Sequence, residues 1–275
     1  MRGPVVVMDS GVGGLPYLEA ARLLLPNTRF VYLADREGFP YGTKGRLEVV
    51  AIVRDRVSRL VEGFRPSAVV IACNTASQAA LQAIRQDHPK LPVIGTVPAI
   101  KPAAERTRAG IIAVLATEGT VGDPYLDDLI QRFAMGRTVI RRAAQDLVSF
   151  VEFEFPGSTA EGRKKAVLPH VLPLIESGAD EIVLACTHFL HVALDISLAA
   201  TEAAASAGGR MVEVVDSRDG VARRLQSLLG DADRDSRGTE PSLFLLSGPP
   251  PFEERYSGFA LRYGLTGPLP LPEPA

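Results

Sequence analysis

The chain has 275 residues, 46% of them hydrophobic and 23% charged, with a formal net charge of −2. That composition is ordinary for a globular protein with a sizeable core, in one large domain or two small ones. The near-balanced charge gives no general pull toward nucleic acid or an anionic membrane, and neither is expected as a partner.

The first apolar run, Val5 to Met8 before Asp9, is too short for the core of a signal peptide. No later run approaches the roughly 20 residues of a membrane helix. Val5 to Met8 reads as a strand, and Asp9-Ser10-Gly11-Val12-Gly13-Gly14 as a glycine turn opening a helix, with Pro16 suited to its first turn. This stretch lacks both the Gly-Lys-Ser/Thr ending of a phosphate loop and the spacing of a dinucleotide site. A carboxylate-sized ligand, or a purely structural turn, is left. A second strand, Phe30 to Leu33, leads through Ala34-Asp35 into a Pro- and Gly-shaped loop ending at Lys44. Val69 to Ala72 ends on Cys73-Asn74-Thr75, Ile111 to Leu115 on Ala116-Thr117, Ile182 to Ala185 on Cys186-Thr187-His188, and Val212 to Val215 on Asp216-Ser217. From Gly230 to Glu240 a polar surface loop is expected, and from Gly267 to Ala275 a loose extended tail.

Continuous apolar strands alternating with helical patterns predict an α/β fold with parallel sheets covered on both faces. Ligands in such folds sit at the carboxyl ends of the strands. Because Val-Val-Ile-Ala-Cys-Asn-Thr and Ile-Val-Leu-Ala-Cys-Thr-His end alike, two similar parallel-sheet α/β domains are expected, with the active site in the cleft between them. Residues 1–98 and 209–275 are expected to form the first, discontinuous domain and 99–208 the second, with crossings near Pro98 to Pro102 and near Gly208-Gly209.

Two cysteines are too few for a secreted disulfide framework in a chain this long, which points to a reducing cytoplasm. A buried cysteine is most often inert packing. Here, however, each lies where a strand stops and a helix begins, with Asn74 or Thr75, and Thr187, available as N-caps. The positive end of a helix favours a thiolate over a thiol of pKa about 8.5, and equally favours a substrate carboxylate. Of the four histidines, His188 and His191 are spaced as metal ligands, but no third ligand is in register, so no metal is expected. His188 can instead stabilise the neighbouring thiolate or bind a carboxylate, or be an ordinary surface histidine.

Five motifs stand together: Asp-Ser-Gly-Val-Gly-Gly-Leu from Asp9, Pro-Tyr-Gly-Thr-Lys from Pro40, Ala-Cys-Asn-Thr-Ala from Ala72, Thr-x-x-Thr-Val from Thr117 and Cys-Thr-His from Cys186. From Asp9 to about Leu265 the chain resembles the glutamate racemases of the aspartate/glutamate racemase superfamily. The resemblance implies two facing α/β domains and interconversion of L- and D-glutamate without a cofactor, supplying D-glutamate for peptidoglycan. It implies Cys73 and Cys186 as the catalytic acid and base, with substrate contacts from Asp9, Ser10, Tyr41, Gly42, Asn74, Thr75, Thr187 and His188. Thr117 and Thr120 match the family's second threonine motif, and Glu152 falls where the family has a glutamate assisting the second-domain chemistry. A homodimer is expected from the resemblance alone. Two stretches depart from the family pattern, Phe189-Leu190 for Tyr-Pro and Ala144-Gln145 for Cys-Pro.

The chemistry is coherent by itself. Racemisation removes a weakly acidic Cα proton from one face and returns one to the other, so one deprotonated and one protonated group are needed, and two thiols fit. Aspartate racemase, hydantoin racemase and arylmalonate decarboxylase are the nearest rival enzymes, and a non-catalytic amino-acid-binding protein is the rival of another class. A single cysteine would suit the decarboxylase, and loss of either would suit the binding protein.

Overall fold

The computed structural model describes residues 3–206, 208–209, 211–230 and 240–273. The chain packs as two compact units, one of residues up to Thr96 and from Arg218 onward, the other Val97–Ser217. Strands and helices alternate through the first: β1 (Val5–Asp9), α1 (Leu15–Leu24), β2 (Phe30–Ala34), α2 (Arg46–Phe64), β3 (Ala68–Ile71), α3 (Asn74–Asp87) and β4 (Val93–Gly95). The second unit holds α4 (Ile100–Arg106), β5 (Ile111–Ala116), α5 (Glu118–Val121), α6 (Pro124–Phe133), β6 (Thr138–Ala143), α7 (Gln145–Phe153), α8 (Ala160–Glu176), β7 (Glu181–Leu184), α9 (Ala193–Ser206) and β8 (Glu213–Val215). The chain then returns to the first through α10 (Arg218–Leu229), β9 (Leu243–Leu246), α11 (Glu254–Arg262) and β10 (Thr266–Pro270).

Both sheets are parallel throughout, ordered β10-β9-β2-β1-β3-β4 and β6-β5-β7-β8. The run β2-β1-β3-β4 has the same order as β6-β5-β7-β8, so the similarity of the two cysteine stretches reflects a repeated topology. Every residue of β1, β2, β3 and β7 is buried, as continuous apolar strands between two helical layers must be. In the first unit, α2 lays Val49, Val53, Val57 and Leu60 on the sheet at helical spacing, against Val6, Met8, Val69 and Ile71. In the second, Ile100 and Ala103 of α4 and Leu126 and Leu129 of α6 pack against Ile112, Val114 and Val183.

Two expectations need correction. The second unit continues past Gly208-Gly209 to Ser217, because β8 hydrogen-bonds to β7 and so completes the second sheet. The expected tail from Gly267 is in part β10, which pairs with β9 from Thr266 to Pro270. Edge position explains how prolines are tolerated there, since only one side of the strand must supply hydrogen bonds. The register slips between Thr266 and Leu269, next to Gly267 at φ 144°. The loop expected from Gly230 to Glu240 falls largely outside the described residues.

At the amino ends of β7 and β8, Glu181 and Glu213 are register partners, and Arg106 approaches them at 3.3 and 3.7 Å. Burial raises the Glu181 carboxyl to about 7, outweighing Arg106, with Glu213 adding to the rise. A carboxyl raised on folding contributes stability that is full below its ordinary value and lost as pH climbs through about 7. Urea unfolding at pH 5 and pH 8 should therefore show wild-type stability falling by roughly 1 kcal/mol relative to Glu181→Gln, less than the full shift implies because solvent screens charges at this half-open edge. Parallel pH dependences would remove Glu181 as the cause.

Candidate functional site

In each unit the sequence-marked residues gather at the carboxyl ends of the central strands. The chain crosses from one side of β1 to the other between β2 and β3, and likewise around β5 between β6 and β7. Such switch points open a crevice that helices cannot fill.

In the first unit, Asp9 closes β1 and is fully buried, its Oδ1 accepting from the Ser10 amide at 2.6 Å and from Ser10 Oγ at 3.3 Å. The glycine turn that follows is held by Tyr32, whose hydroxyl donates to the Gly11 carbonyl at 2.8 Å and accepts from the Gly14 amide at 3.0 Å. The Gly14 amide is thus engaged within the protein and does not serve an anion. A Cβ on Gly14 would stand 2.8 Å from the Ala72 Cβ, so this glycine permits close packing of the turn on the residue before Cys73.

Cys73 lies two residues beyond the end of β3 and is itself the N-cap of α3, in extended conformation and 6% exposed. The caps expected at Asn74 or Thr75 are therefore shifted by a residue or more, Asn74 being the first residue of the helix. No side chain caps α3. Cys73 thus stands at the positive end of α3, a setting that favours thiolate. Asn74 is buried and its Oδ1 has no hydrogen-bond partner, which leaves an acceptor for a ligand's ammonium or amide group. Thr75 is half-buried.

Tyr41 and Gly42, both buried, belong to a 3-10 turn, Tyr41–Thr43. The Tyr41 hydroxyl donates to Asp35 Oδ2 at 2.6 Å. Burial, then the charge and hydrogen bond of Asp35, then Cys73 and Asp9, hold this phenol well above its ordinary pKa, so it stays a donor. The same couplings place Tyr41 within electrostatic reach of Cys73. Sequence reasoning noticed Asp35 only as a residue following a strand, and it missed Arg56, whose Nε donates to Asp35 Oδ1 at 2.9 Å.

In the second unit, Cys186 repeats the geometry of Cys73: two residues past β7, extended, 6% exposed and without a side-chain cap. The element it opens is a 3-10 helix, Thr187–Val192, which runs into α9. Thr187, expected as a cap, lies inside it and is buried. Thr117 caps α5, its Oγ1 accepting from the Thr120 amide at 3.2 Å and donating to Thr120 Oγ1 at 3.1 Å. Glu152 of α7 reaches His188, Oε2 to Nε2 at 3.0 Å, with both side chains almost fully buried. His188, two residues after Cys186 in the chain, is therefore not a solvated surface histidine, and its ring is held by a carboxylate partner. His191 packs edge-on against Phe155 at 5.4 Å between ring centroids. Among the described residues no group of three or more His, Cys, Asp or Glu side chains is arranged to hold a metal ion.

The two departures from the family pattern lie in this unit's interior. Phe189 is fully buried and Leu190 nearly so, directly after His188, while Ala144 caps α7 and Gln145 has a buried Oε1 with no partner.

Chemically, each unit presents a buried thiol at the positive end of a helical turn, and each also holds buried polar side chains: Asp9, Ser10, Tyr41 and Asn74 in one, Thr117, Thr120, Glu152, Thr187 and His188 in the other. The Asp/Glu/hydantoin racemase family pattern matches residues 19–224. A glutamate racemase of Sphingopyxis alaskensis is 44% identical over 82% of this chain and 81% of its own. One from Brucella ovis is 38% identical over 94% and 93%. The crystal structure of Escherichia coli glutamate racemase in complex with L-glutamate and the activator UDP-MurNAc-ala superimposes with a TM-score of 0.84 and 33% identity, covering 98% of both chains.

Proposed function

Because the chain belongs to the Asp/Glu/hydantoin racemase family, we propose that it is a glutamate racemase in which Cys73 and Cys186 are the paired acid and base. The observation that carries this reading is the repeated junction: a buried thiol two residues past a central strand in both units, at the start of an uncapped helical turn. A thiolate so placed is a capable base, and its protonated twin a ready acid. One thiolate takes the Cα proton of bound glutamate while the other thiol delivers a proton to the opposite face. The reverse reaction exchanges their roles.

The remaining residues divide the work of binding and charge stabilisation. Asn74 accepts from the substrate ammonium through its buried Oδ1, and Thr75 adds a hydroxyl. Amides and hydroxyls at Ser10, Gly42, Thr117, Thr120 and Thr187 hold the carboxylates and stabilise the charge that develops as the proton leaves. Asp9 and Tyr41 line the Cys73 side, and the Glu152–His188 pair supports Cys186. The reaction needs no added cofactor, and its product supplies D-glutamate for peptidoglycan in the cytoplasm. Two reduced cysteines agree with that compartment, and no described helix is long and apolar enough to cross a membrane.

Circular dichroism of purified protein with L-glutamate and no added cofactor tests the assignment directly. The signal should decay to zero, and that of D-glutamate should decay from the opposite sign. Aspartate should turn over at least tenfold more slowly, a gap of about 1.4 kcal/mol. Equal turnover of aspartate, or an unchanged glutamate signal, would refute the substrate assignment.

A further inference from the structure

Asp35 is fully buried just past β2, and every polar atom it offers there is engaged. Its amide donates to the Asp9 carbonyl at 2.9 Å, its Oδ2 accepts from Tyr41, and its Oδ1 accepts from Arg56 Nε. Arg56, 13% exposed, reaches across from α2 and also binds Glu37 through Nη2 at 3.0 Å and Asp55 through Nη1 at 2.7 Å. Gly38 closes the turn on this cluster: its amide donates to the Asp35 carbonyl at 3.1 Å, and a Cβ would stand 2.1 Å from Asp35 Oδ2.

We propose that Asp35 and Arg56 are a positioning pair for the thiol chemistry of Cys73, in which Asp35 holds Tyr41 in place beside that thiol and Arg56 neutralises Asp35 so that its charge does not oppose a thiolate. The inference rests on Cys73 being an acid/base, as proposed above. Its physical basis is that a buried carboxylate raises the pKa of a neighbouring thiol unless a cation compensates it. Tyr41 shares the buried core of the first unit with Cys73, and the ionisable groups that act on Tyr41 are Asp35, Cys73 and Asp9, while the first turn of α3, Asn74 to Ser77, carries no charge. Those facing Arg56 are Asp35, Glu37 and Asp55. Arg56 is thus the cation set directly against the buried carboxylate that holds Tyr41.

The test is the pH dependence of kcat/KM for glutamate in the full-length enzyme. Arg56→Gln leaves Asp35 unpaired and should move the acid-side limb upward by about one unit, a roughly tenfold loss at a pH on that limb. Asp35→Asn removes the negative charge and should move the limb downward. The double variant should bring it back close to the wild-type position. Arg56→Lys keeps the charge without the planar fork and should leave the limb in place while raising KM. If Arg56→Gln fails to fold, the downward shift in Asp35→Asn and the unmoved limb in Arg56→Lys still decide the matter. A wild-type enzyme that requires Cys73 but shows no limb movement in either Arg56→Gln or Asp35→Asn overturns this inference alone. A Cys73→Ser variant of near-normal activity overturns the reading beneath it.

Discussion

Replacing either Cys73 or Cys186 by serine is expected to lower racemisation of glutamate by about 10²–10⁴-fold, the range that a positioned acid or base contributes. The hydroxyl is close in size to the thiol but far less acidic, so it neither rests as an anion nor gives up a proton as readily. Both thiols sit at uncapped helical starts, and serine is itself a favoured N-cap, so each variant should fold at least as well as the parent. Loss of activity with an unchanged unfolding midpoint is therefore the diagnostic combination. In deuterated water, early turnover from one enantiomer should place deuterium in the product well before it appears in recovered substrate. The departing proton stays on one thiol while the other delivers a solvent-derived deuteron. A single base serving both faces would either return the abstracted proton, giving unlabelled product, or label both pools together. Equal early labelling, or a single Cys→Ser variant with near-normal turnover, would end the two-thiol mechanism even if glutamate remained the substrate.

Gly38→Ala is expected to destabilise the first unit by about 1–3 kcal/mol, the usual cost of overpacking, and to reduce kcat/KM along with it. The backbone at Gly38 does not lie among the positive-φ positions, so the cost is one of space alone. The added Cβ meets Asp35 Oδ2 at 2.1 Å and Tyr41 Cε1 at 2.8 Å. Neither neighbour yields easily, because Asp35 is held from one side by Arg56 and from the other by the Tyr41 hydroxyl. Relief has to come from moving the turn, and that displaces Tyr41 relative to Cys73. Gly157→Ala is the control: nothing lies within 4 Å of its Cβ position, and it should stay within about 0.5 kcal/mol of wild type. Urea unfolding together with steady-state kinetics separates the cases. A Gly38→Ala protein matching the control in both measurements would show that the turn has slack, and with it that Asp35 and Tyr41 are not rigidly held.

The layer architecture, and the place of both cysteines just past buried strands, can be read from local sequence alone. Runs such as Val5 to Met8 and Ile182 to Ala185 are apolar at every position, and only a strand covered on both faces needs that. The thiols were legible because they follow such runs directly, where a parallel fold exposes side chains to ligand. Four strands went unread, and only one of them, β9 (Leu243–Leu246), is apolar throughout. In β6 the residues are largely exposed or half-buried along an edge, β4 spans only Val93–Gly95, and β10 carries two prolines. Their identity as strands comes from the neighbour each one pairs with, a long-range property absent from local periodicity.

The same reason divides the site. His188 is linked to the second centre by its place two residues after Cys186 and Glu152 only through the family resemblance, while nothing local pairs these two with each other or Asp35 with Arg56. Arg56 reads locally as one charged residue on the polar face of a long amphipathic helix, a place where most arginines are merely solvated. Whether such a side chain meets water or a buried carboxylate depends on how α2 lies across the sheet and on β2 ending beside it. Burial then converts an ordinary charge pair into one whose removal leaves an uncompensated carboxylate hydrogen-bonded to Tyr41, which packs in the same core as the thiol.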